Sequence, residues 1–242
     1  MIIDFHSHIL PGIDDGSQSV EESLQILELM KDQGIEAVIA TPHFYASEDY
    51  PEEFIKRRED AKNKLLKAID ALGDEGKNMP KIYCGAEVAY YRGMSQSAAL
   101  KDLVIEGTKA IMVEMPMGKW TSAMYSELEE IHDRQGLVPI VAHVDRYLTP
   151  LRDFGIPAKL AELPVLVQAN GSFFLKKNMA KKAIKLLGRD MIHLLGSDTH
   201  NIEDRAPNLG PALDVIKKSL GHDAIERIES WQGQIIDVQL EY

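Results

Sequence analysis

Short apolar runs alternate along the chain with longer segments that mix apolar and charged residues. The short runs are nearly continuous, which is typical of strands that are buried on both faces. They predict seven β-strands, which read MIIDF, IEAVIATPH, KIYCGAEVA, KAIMVEMP, LVPIVAHVD, LPVLVQAN and MIHLLGSD in chain order.

The longer segments place apolar residues three and four positions apart, as an amphipathic helix does. The clearest case is SVEESLQILELMKDQG, where Ser19 is a suitable N-cap, Glu22 completes a capping box and Gly34 ends the helix. Further helices are predicted over residues 51–72, 121–135, 152–163, 178–188 and 207–220.

Strands and helices follow one another in a single series, and no linker rich in Pro, Gly or Ser interrupts it. This order predicts one α/β domain over residues 1–242 with a parallel sheet. The order alone allows either an open doubly wound sheet or a closed barrel. Polar residues at the strand ends favour a barrel, because a parallel barrel gathers those ends around one mouth.

Imidazole and carboxylate side chains follow strands one to five and strand seven. They are His6, His8, Asp14 or Asp15, His43, Glu87, Glu114, His143, Asp198 and His200. His6 and His8 are two residues apart on a predicted strand, so their side chains lie on the same face. A barrel mouth that buries so many imidazoles and carboxylates is unfavourable without cations. The pattern therefore predicts a metal centre, whereas a single histidine at a strand end is more often structural.

Nitrogen and oxygen donors without a thiolate favour manganese, iron or zinc. One ion takes three or four protein ligands, so the set is large enough for two or three ions. The remaining histidines, His132, His193 and His222, lie away from the predicted strand ends and are not assigned to the site.

Two arginines indicate the class of substrate. Arg146 and Arg205 each follow a group of candidate ligands within a few residues. A guanidinium group binds phosphate oxygens in a bidentate manner and keeps its charge at any working pH. Metal ions beside arginines favour hydrolysis of a phosphate ester over hydrolysis of an amide. The alternative for either arginine is an ordinary surface ion pair.

Composition narrows the partners further. The 27 basic and 38 acidic residues give a net charge of −11, which argues against nucleic acid or an anionic membrane as the main partner. Cys84 is the single cysteine, and the residue six positions later is Tyr90, so the Cys-x5-Arg motif of thiol-dependent phosphatases is absent. No signal peptide and no transmembrane run is readable, which predicts a cytoplasmic protein.

Six motifs occur in order between residues 4 and 207: DFHSHILPGIDDGS, ATPH, GAE, VEMP, AHVDRY and GSDTHN with the arginine that follows it. Together they resemble the PHP (polymerase and histidinol phosphatase) superfamily. Within it, they resemble the bacterial metal-dependent tyrosine-protein phosphatases of capsule and exopolysaccharide operons, the CpsB/YwqE type. This resemblance implies a distorted (β/α)7 TIM-like barrel with a trinuclear site that usually holds manganese.

The resemblance also implies roles for individual residues. One ion would be held by His6, His8, Glu87 and Asp198, a second by Glu87, Glu114 and His143, and a third by Asp15, His43 and His200. Arg146 and Arg205 would bind the phosphate. The usual substrate is phosphotyrosine on a cognate bacterial tyrosine kinase, often in its tyrosine-rich tail. Asp145 departs from the family, in which glutamate is common at this position.

The expected activity is thus a manganese-dependent protein tyrosine phosphatase in which a metal-bridging hydroxide attacks phosphorus. One alternative is a PHP phosphatase of a small phosphomonoester such as histidinol phosphate, although no long insertion is present to enclose a small substrate. A second alternative is a metal-stabilised module that only binds the kinase, which the intact ligand set disfavours. Aromatic residues near the strand ends pack on the substrate's phenyl ring or simply line the rim: Phe44, Tyr45, Tyr90, Tyr91, Trp120 and Tyr147.

Overall fold

Nine β-strands and eight α-helices are present in the computed structural model of the chain, which describes residues 1–149 and 155–236. The strands are β1 (Ile3–Ser7), β2 (Ala37–Ala40), β3 (His43–Phe44), β4 (Lys81–Cys84), β5 (Glu87–Ala89), β6 (Ala110–Glu114), β7 (Val138–Val141), β8 (Leu166–Asn170) and β9 (Leu194–Gly196). The helices are α1 (Val20–Asp32), α2 (Pro51–Ala71), α3 (Ser122–Gln135), α4 (Ile156–Leu160), α5 (Gly171–Leu175), α6 (Ala180–Leu187), α7 (Leu209–Leu220) and α8 (Asp223–Ile236).

All strand pairs are parallel, and they fall into the orders β1-β2-β4 and β3-β5-β6-β7-β8-β9. Residues 41–42 separate β2 from β3, and residues 85–86 separate β4 from β5, so two of the predicted strands are each interrupted. Because β2 pairs with β4 and β3 pairs with β5, the two sheets form one curved wall.

The wall closes where the end of β9 meets β1. The backbone N–H of Asp198 donates to the carbonyl of His6 at 2.8 Å, and the N–H of His8 donates to the carbonyl of Thr199 at 2.9 Å. The predicted distorted seven-stranded parallel barrel is therefore confirmed, and the open doubly wound alternative is wrong.

Strand β1 contains an irregularity that positions its histidines. Asp4 lies opposite Val38 but Ser7 lies opposite Ala40, so the register slips by one residue between these points. Ile3 and Phe5 face the apolar interior of the barrel, whereas the side chains of His6 and His8 both reach the mouth. A bulge re-aims the side chains that follow it. Simple alternation along the strand predicts only that the two histidines share a face.

Helix α8 closes the other end of the barrel and is not among the predicted helices. Its Ile235 and Ile236 join the interior cluster formed by Ile3, Phe5, Ala37, Ile39, Tyr83, Ile105, Ala110, Met112, Ile140, Ala142 and Leu194. Gln232 on the same helix is buried, and its amide bonds to both backbone groups of Ile3, accepting at 3.1 Å and donating at 2.8 Å. The amide thus takes the place of a neighbouring strand on that edge of β1.

Other predicted boundaries agree closely, with three exceptions. The hydroxyl of Ser19 accepts from the N–H of Glu22 at 3.1 Å as predicted, but the Glu22 carboxylate accepts from Gln18 instead of closing the capping box. Helix α5 was not predicted. Of the helix predicted over 152–163, residues 152–154 lie outside the described residues and α4 accounts for part of the rest. The domain boundary at 242 stays a prediction, because residues 237–242 are not described.

Among the described residues, no helix is both long enough and apolar enough to cross a bilayer.

Replacing Gln232 by alanine should destabilise the protein by about 2 kcal/mol or more, since it leaves a buried N–H and a buried C=O of Ile3 without partners. Gln234 is exposed on the same helix, and its replacement by alanine is the matched control, expected within about 0.5 kcal/mol of the parent. Urea unfolding of both variants measures the difference. Equal stabilities would show that the amide has no such role.

Candidate metal centre

A cluster of imidazoles and carboxylates fills the mouth of the barrel at the carboxyl ends of the strands. His6 lies on β1 and His8 directly follows this strand, Glu87 begins β5, and Asp198 and His200 follow β9. The Nε2 atoms of His6 and His8 lie 3.2 Å apart. These five side chains are buried, so their polar atoms contact one another instead of bulk water.

The carboxylate of Glu87 lies at the centre of this cluster. Its Oε2 atom is 3.3 Å from His6 Nε2, 3.4 Å from His8 Nε2 and 3.0 Å from His43 Nδ1. None of these three contacts has the geometry of a hydrogen bond, and Oε2 is a buried atom without a partner among the described residues. Donor atoms that converge without bonding to one another are arranged as they would be around a cation.

Three sets of residues can be distinguished, and within each set the donor atoms all lie within 4.8 Å of one another. They are His8 with Asp15, His43 and His200; His6 with His8 and Glu87; and His43 with Glu87 and Glu114. His143 joins the third set, since its Nε2 is 2.7 Å from Glu87 and 3.3 Å from Glu114. The structure therefore brings all nine predicted ligands together, and this set of nitrogen and oxygen donors fits divalent ions such as manganese, iron or zinc.

The grouping differs from the implied one in its details. His8 lies in the set that contains Asp15 as well as in the set with His6 and Glu87, and His43 lies close to Glu87 as well as to Asp15. Asp198 Oδ1 is 3.7 Å from His6 Nε2 and 3.6 Å from His8 Nε2, near but outside the tightest set. The three groups share members, so assignment of each ligand to one ion stays a prediction.

Asp14 and Asp15 take different positions, although they are adjacent. Asp14 accepts from His8 Nδ1 at 2.8 Å and from the backbone N–H groups of Gly16 and His43, so it orients the imidazole of His8 and fixes the backbone beside His43. Asp15 is mostly exposed and lies 3.3 Å from His43 and from His200. Carboxylates that hold a ligand histidine in this way fix its tautomer and raise its basicity. The role of Asp14 was not predicted.

Gly16 allows the loop to approach His8. A Cβ atom on Gly16 would lie 2.2 Å from the His8 carbonyl oxygen and 2.4 Å from its Cβ, which no larger residue can accept. Close approach, and not a left-handed turn, explains this glycine.

Two amides on β8 complete the surroundings, and sequence reasoning missed them. Gln168 Oε1 accepts from the N–H of His143 and lies 3.3 Å from His6 Nδ1. Asn170 Nδ2 donates to Asp198 Oδ2 at 3.0 Å. The available signal was a pair of amides two residues apart in an otherwise apolar strand, where side chains face the same side.

Asp145 anchors the turn after β7 to the end of β8. The turn, a 3-10 helix over Val144–Tyr147, begins beside His143, whose φ of 30° lies in the left-handed region. The carboxylate of Asp145 accepts from the N–H of Asn170 at 2.9 Å. Asp198 also has a positive φ, 54°. Such conformations are unfavourable for residues other than glycine and are concentrated at functional sites.

Both predicted arginines bind the same carboxylate. Arg146 donates to Oδ2 of Asp198, and Arg205 donates to Oδ1 at 2.8 Å. Each arginine also lies near a second candidate ligand, with Arg146 3.6 Å from Glu114 and Arg205 3.9 Å from Asp15. About a third of each arginine side chain is exposed, so both guanidinium groups remain accessible at the mouth. They form a rim of positive charge beside the cluster.

Protons compensate the buried carboxylates when no cation is bound. Burial alone would favour the neutral acid of Glu87, but the imidazoles of His6 and His143 reverse this and hold its pKa well below the usual range. Burial opposes the charged form of His8, yet Asp14 and Glu87 raise its pKa to about 10. Burial also opposes the charged form of His143, but hydrogen bonds to Glu114 and Glu87 outweigh it and raise the pKa of His143 to about 9.

The other residues considered from sequence lie in ordinary surroundings. His132 and His222 are on the surface, and His193 Nδ1 accepts from the N–H of Val167 at 3.0 Å. Burial raises the pKa of the Cys84 thiol to about 12, which leaves it unsuited to nucleophilic attack. The aromatic residues Phe44, Trp120 and Tyr147 are buried, whereas Tyr45 is exposed and stacks on His43.

A parallel barrel that gathers histidines and carboxylates at its mouth defines an α/β-barrel protein with a candidate polynuclear metal centre. Residues 2–236 match the family described as "Capsular polysaccharide synthesis, CpsB/CapC", and the chain belongs to this family. The resemblance inferred from the motifs is thereby confirmed.

Several tyrosine-protein phosphatases are similar to the chain over most of its length. CpsB of Streptococcus pneumoniae is 29% identical over 235 residues, 91% of each chain. CpsB of Streptococcus agalactiae serotype III (strain NEM316) is 27% identical over 238 residues, 94% of each chain. YwqE of Bacillus subtilis (strain 168) is 28% identical over 232 residues, which cover 92% of this chain and 86% of YwqE.

A solved structure has the same fold. It was reported with crystal structures of YwqE from Bacillus subtilis and CpsB from Streptococcus pneumoniae, described as unique metal-dependent tyrosine phosphatases. The TM-score is 0.82 at 22% sequence identity, and the match covers 100% of this chain and 96% of that one. At this identity the likeness establishes the fold of the barrel.

Metal binding should release protons and strengthen as the pH rises. The pKa values of His8 and His143 are raised to about 10 and about 9, so at neutral pH both imidazoles are protonated before a cation binds. A divalent ion requires neutral imidazoles, and each proton expelled strengthens apparent binding by about tenfold per pH unit. Calorimetry of Mn²⁺ binding in two buffers with different ionisation heats counts the protons. Binding that releases none, with an affinity independent of pH between about 6 and 8, would contradict this charge balance.

Proposed function

We propose that this protein is a manganese-dependent protein tyrosine phosphatase that acts on a bacterial tyrosine kinase controlling capsular or exopolysaccharide synthesis. The observation that carries the proposal is the combination at one barrel mouth of convergent metal donors with two arginines. Membership of the capsular polysaccharide family and similarity to proteins named as tyrosine phosphatases support it.

Two or three divalent ions would be held by His6, His8, Asp15, His43, Glu87, Glu114, His143, Asp198 and His200, with manganese preferred over iron or zinc. Bound ions supply Lewis acidity and activate a water molecule for attack on phosphorus. Asp14 keeps His8 oriented through its 2.8 Å hydrogen bond, and the low pKa of Glu87 keeps that carboxylate ionised. Burial and the charge of His8 lower the pKa of His200 to about 4. This imidazole is therefore neutral near pH 7 and can offer a nitrogen lone pair to a metal ion.

Arg146 and Arg205 bind the phosphate group in this proposal. Each guanidinium group is already held by a different carboxylate oxygen of Asp198. The two arginine side chains therefore lose little conformational freedom when a phosphate group binds. Their charges then stabilise the negative charge that spreads over the equatorial and leaving oxygens. A phenolate leaves readily, so a dedicated general acid is less important for phosphotyrosine than for an alkyl ester.

Exposed apolar side chains around the mouth favour a protein substrate over a small phosphomonoester. Seven large hydrophobic residues are at least 38% exposed among the described residues, and five follow strand ends on the mouth side of the barrel: Tyr45, Tyr50, Met117, Leu175 and Ile202. In this proposal a phosphoprotein covers these side chains when its phosphotyrosine enters the mouth. Tyr45, whose ring lies 5.5 Å from that of His43, is placed to pack on an aryl group.

The proposed substrate is the phosphorylated kinase, through a tyrosine-rich tail, and the proposed location is the cytoplasm. Net charge of −11 remains unfavourable for nucleic acid as a partner. Histidinol phosphate and a purely binding role remain the alternatives for the test below.

The decisive experiment is hydrolysis by metal-stripped protein, with Mn²⁺ added back, of a phosphotyrosine peptide and of histidinol phosphate. A phosphoserine peptide of the same sequence is the matched control for the leaving group. We expect Mn²⁺-dependent phosphate release from the phosphotyrosine peptide with kcat/KM at least about 100-fold above the other two substrates. Preference for histidinol phosphate would refute the substrate but keep the metal centre. Activity on none of them would favour the binding role.

Replacing Arg205 by alanine should lower kcat/KM for the phosphotyrosine peptide by about 100-fold or more, because one of two charges that stabilise the transition state is lost. Metal content, measured by elemental analysis, should stay at the parent value. Arg227 is similarly exposed, pairs with Asp190 at the other end of the barrel, and is the control when replaced by alanine. Full activity of the Arg205 variant would remove this residue from the mechanism.

A further inference from the structure

One segment of this acidic protein is strongly basic. Residues 176–189 contain six of the 27 basic residues of the chain and no acidic residue, although the net charge of the whole is −11. We call this segment the basic strip; its charged residues are Lys176, Lys177, Lys181, Lys182, Lys185 and Arg189. Neither the metal centre nor the barrel core uses these charges.

Five of the six basic residues of the strip are exposed, and Lys182 is half-buried. Helix α6 packs Ala183, Leu186 and Leu187 inward, while Lys181 and Lys185 are exposed one turn apart. Like charges four residues apart oppose helix formation. Within residues 1–149 and 155–236, no carboxylate lies within 4.0 Å of Lys177, Lys181 or Lys185 to relieve that repulsion. These charges therefore have no structural role that the fold reveals.

The first half of the strip borders the candidate metal centre. Asn170, which donates to Asp198, directly precedes the five-residue helix α5, and Lys176 and Lys177 follow that helix at once. A helix of this length spans only about 7 Å. Lys182 Nζ donates to the carbonyl of Thr149 at 2.9 Å, three residues after Arg146. The strip is thus continuous with the rim on which Arg146 lies.

The opposite rim of the mouth carries the opposite charge. The loop after β3 and the start of α2 contribute Glu48, Asp49, Glu52 and Glu53, and Asp15 lies beside them. Arg57 pairs with Asp49 and offsets one of these five negative charges. The field across the mouth therefore runs from an acidic side to a basic side. A substrate chain with acidic residues on one side of its phosphotyrosine is attracted when those residues face the basic side of the mouth. The same chain is repelled when it enters in the reverse direction.

We propose that the basic strip binds an acidic segment of the phosphoprotein substrate, on one side of the phosphotyrosine, and so sets the direction in which the substrate crosses the mouth. This inference rests on the proposed phosphatase function. Leu175, 40% exposed beside Lys176, adds an apolar contact for the same segment. A flat anionic membrane fits less well, because it would meet the acidic rim and the basic strip together.

The test uses the double variant Lys177→Glu/Lys181→Glu, which reverses two exposed charges of the strip. Its matched control is Lys64→Glu/Lys67→Glu, two exposed lysines on the half of α2 that lies away from the mouth. Three probes are compared: a phosphotyrosine peptide with acidic residues on one side, the same peptide with those residues changed to Asn and Gln, and p-nitrophenyl phosphate. Binding of the two peptides is followed by fluorescence anisotropy and turnover by phosphate release.

We expect the strip variant to lose about tenfold or more in affinity and kcat/KM for the acidic peptide, and nothing for the other two probes. The control should behave as the parent protein, and about 0.5 M salt should abolish the parent's preference for the acidic peptide. Equal loss on all three probes, or no loss on the acidic peptide, would overturn the proposal. So would lysine-dependent binding to vesicles containing phosphatidylglycerol without any preference between the peptides.

The binding readout separates this inference from the function on which it rests. If the protein hydrolyses none of the probes but still binds the acidic peptide through Lys177 and Lys181, docking is upheld and the phosphatase proposal fails. If it hydrolyses the peptides equally well and the variant matches the parent, the phosphatase proposal is upheld and docking fails.

Discussion

Closure of the barrel between β9 and β1 is the constraint on which the other features depend. Three devices hold this junction. Asp4 Oδ1 accepts from the N–H of Ser197 at 2.8 Å, Gln232 bonds to the open edge of β1, and Gly196 lets the strands touch. A Cβ atom on Gly196 would lie 2.4 Å from the Cβ of His6. Any larger residue would push β9 away from the strand that carries the two histidines.

Closure at this junction creates the metal centre by bringing the first and the last strand together. His6 and His8 come from the beginning of the chain, and Asp198 and His200 come from a point nearly 200 residues later. Their rings and carboxylates approach within 4 Å because the two strands share backbone hydrogen bonds. The bulge in β1 also contributes, since a regular strand would place His6 on the same face as Asp4, whose side chain bonds to the backbone of Ser197. The same contacts that close the barrel therefore also assemble the candidate metal centre.

Electrostatic compensation then determines how the mouth behaves. The buried carboxylates of Glu87 and Asp198 are balanced by protonated imidazoles and by two arginines as long as no cation is present. Cations and an anionic substrate exchange with these partners, so the centre responds to pH, metal and phosphate as a coupled system. Further from the centre, the acidic rim and the basic strip extend the same charge separation over the surface.

The sequence by itself determined the alternation of strands and helices, the parallel class of sheet and the nine candidate donors, because hydrophobic period and residue type are local properties of the chain. It also identified both arginines. It did not reveal helices α5 and α8 or the interruptions of two strands. Tertiary structure alone decided which donors meet, since His8 and His43 are each shared between two sets. The supporting roles of Gln168, Asn170 and Gln232 were invisible for the same reason. Their roles are hydrogen bonds across the barrel, and no local pattern records which backbone group a distant strand will leave unpaired.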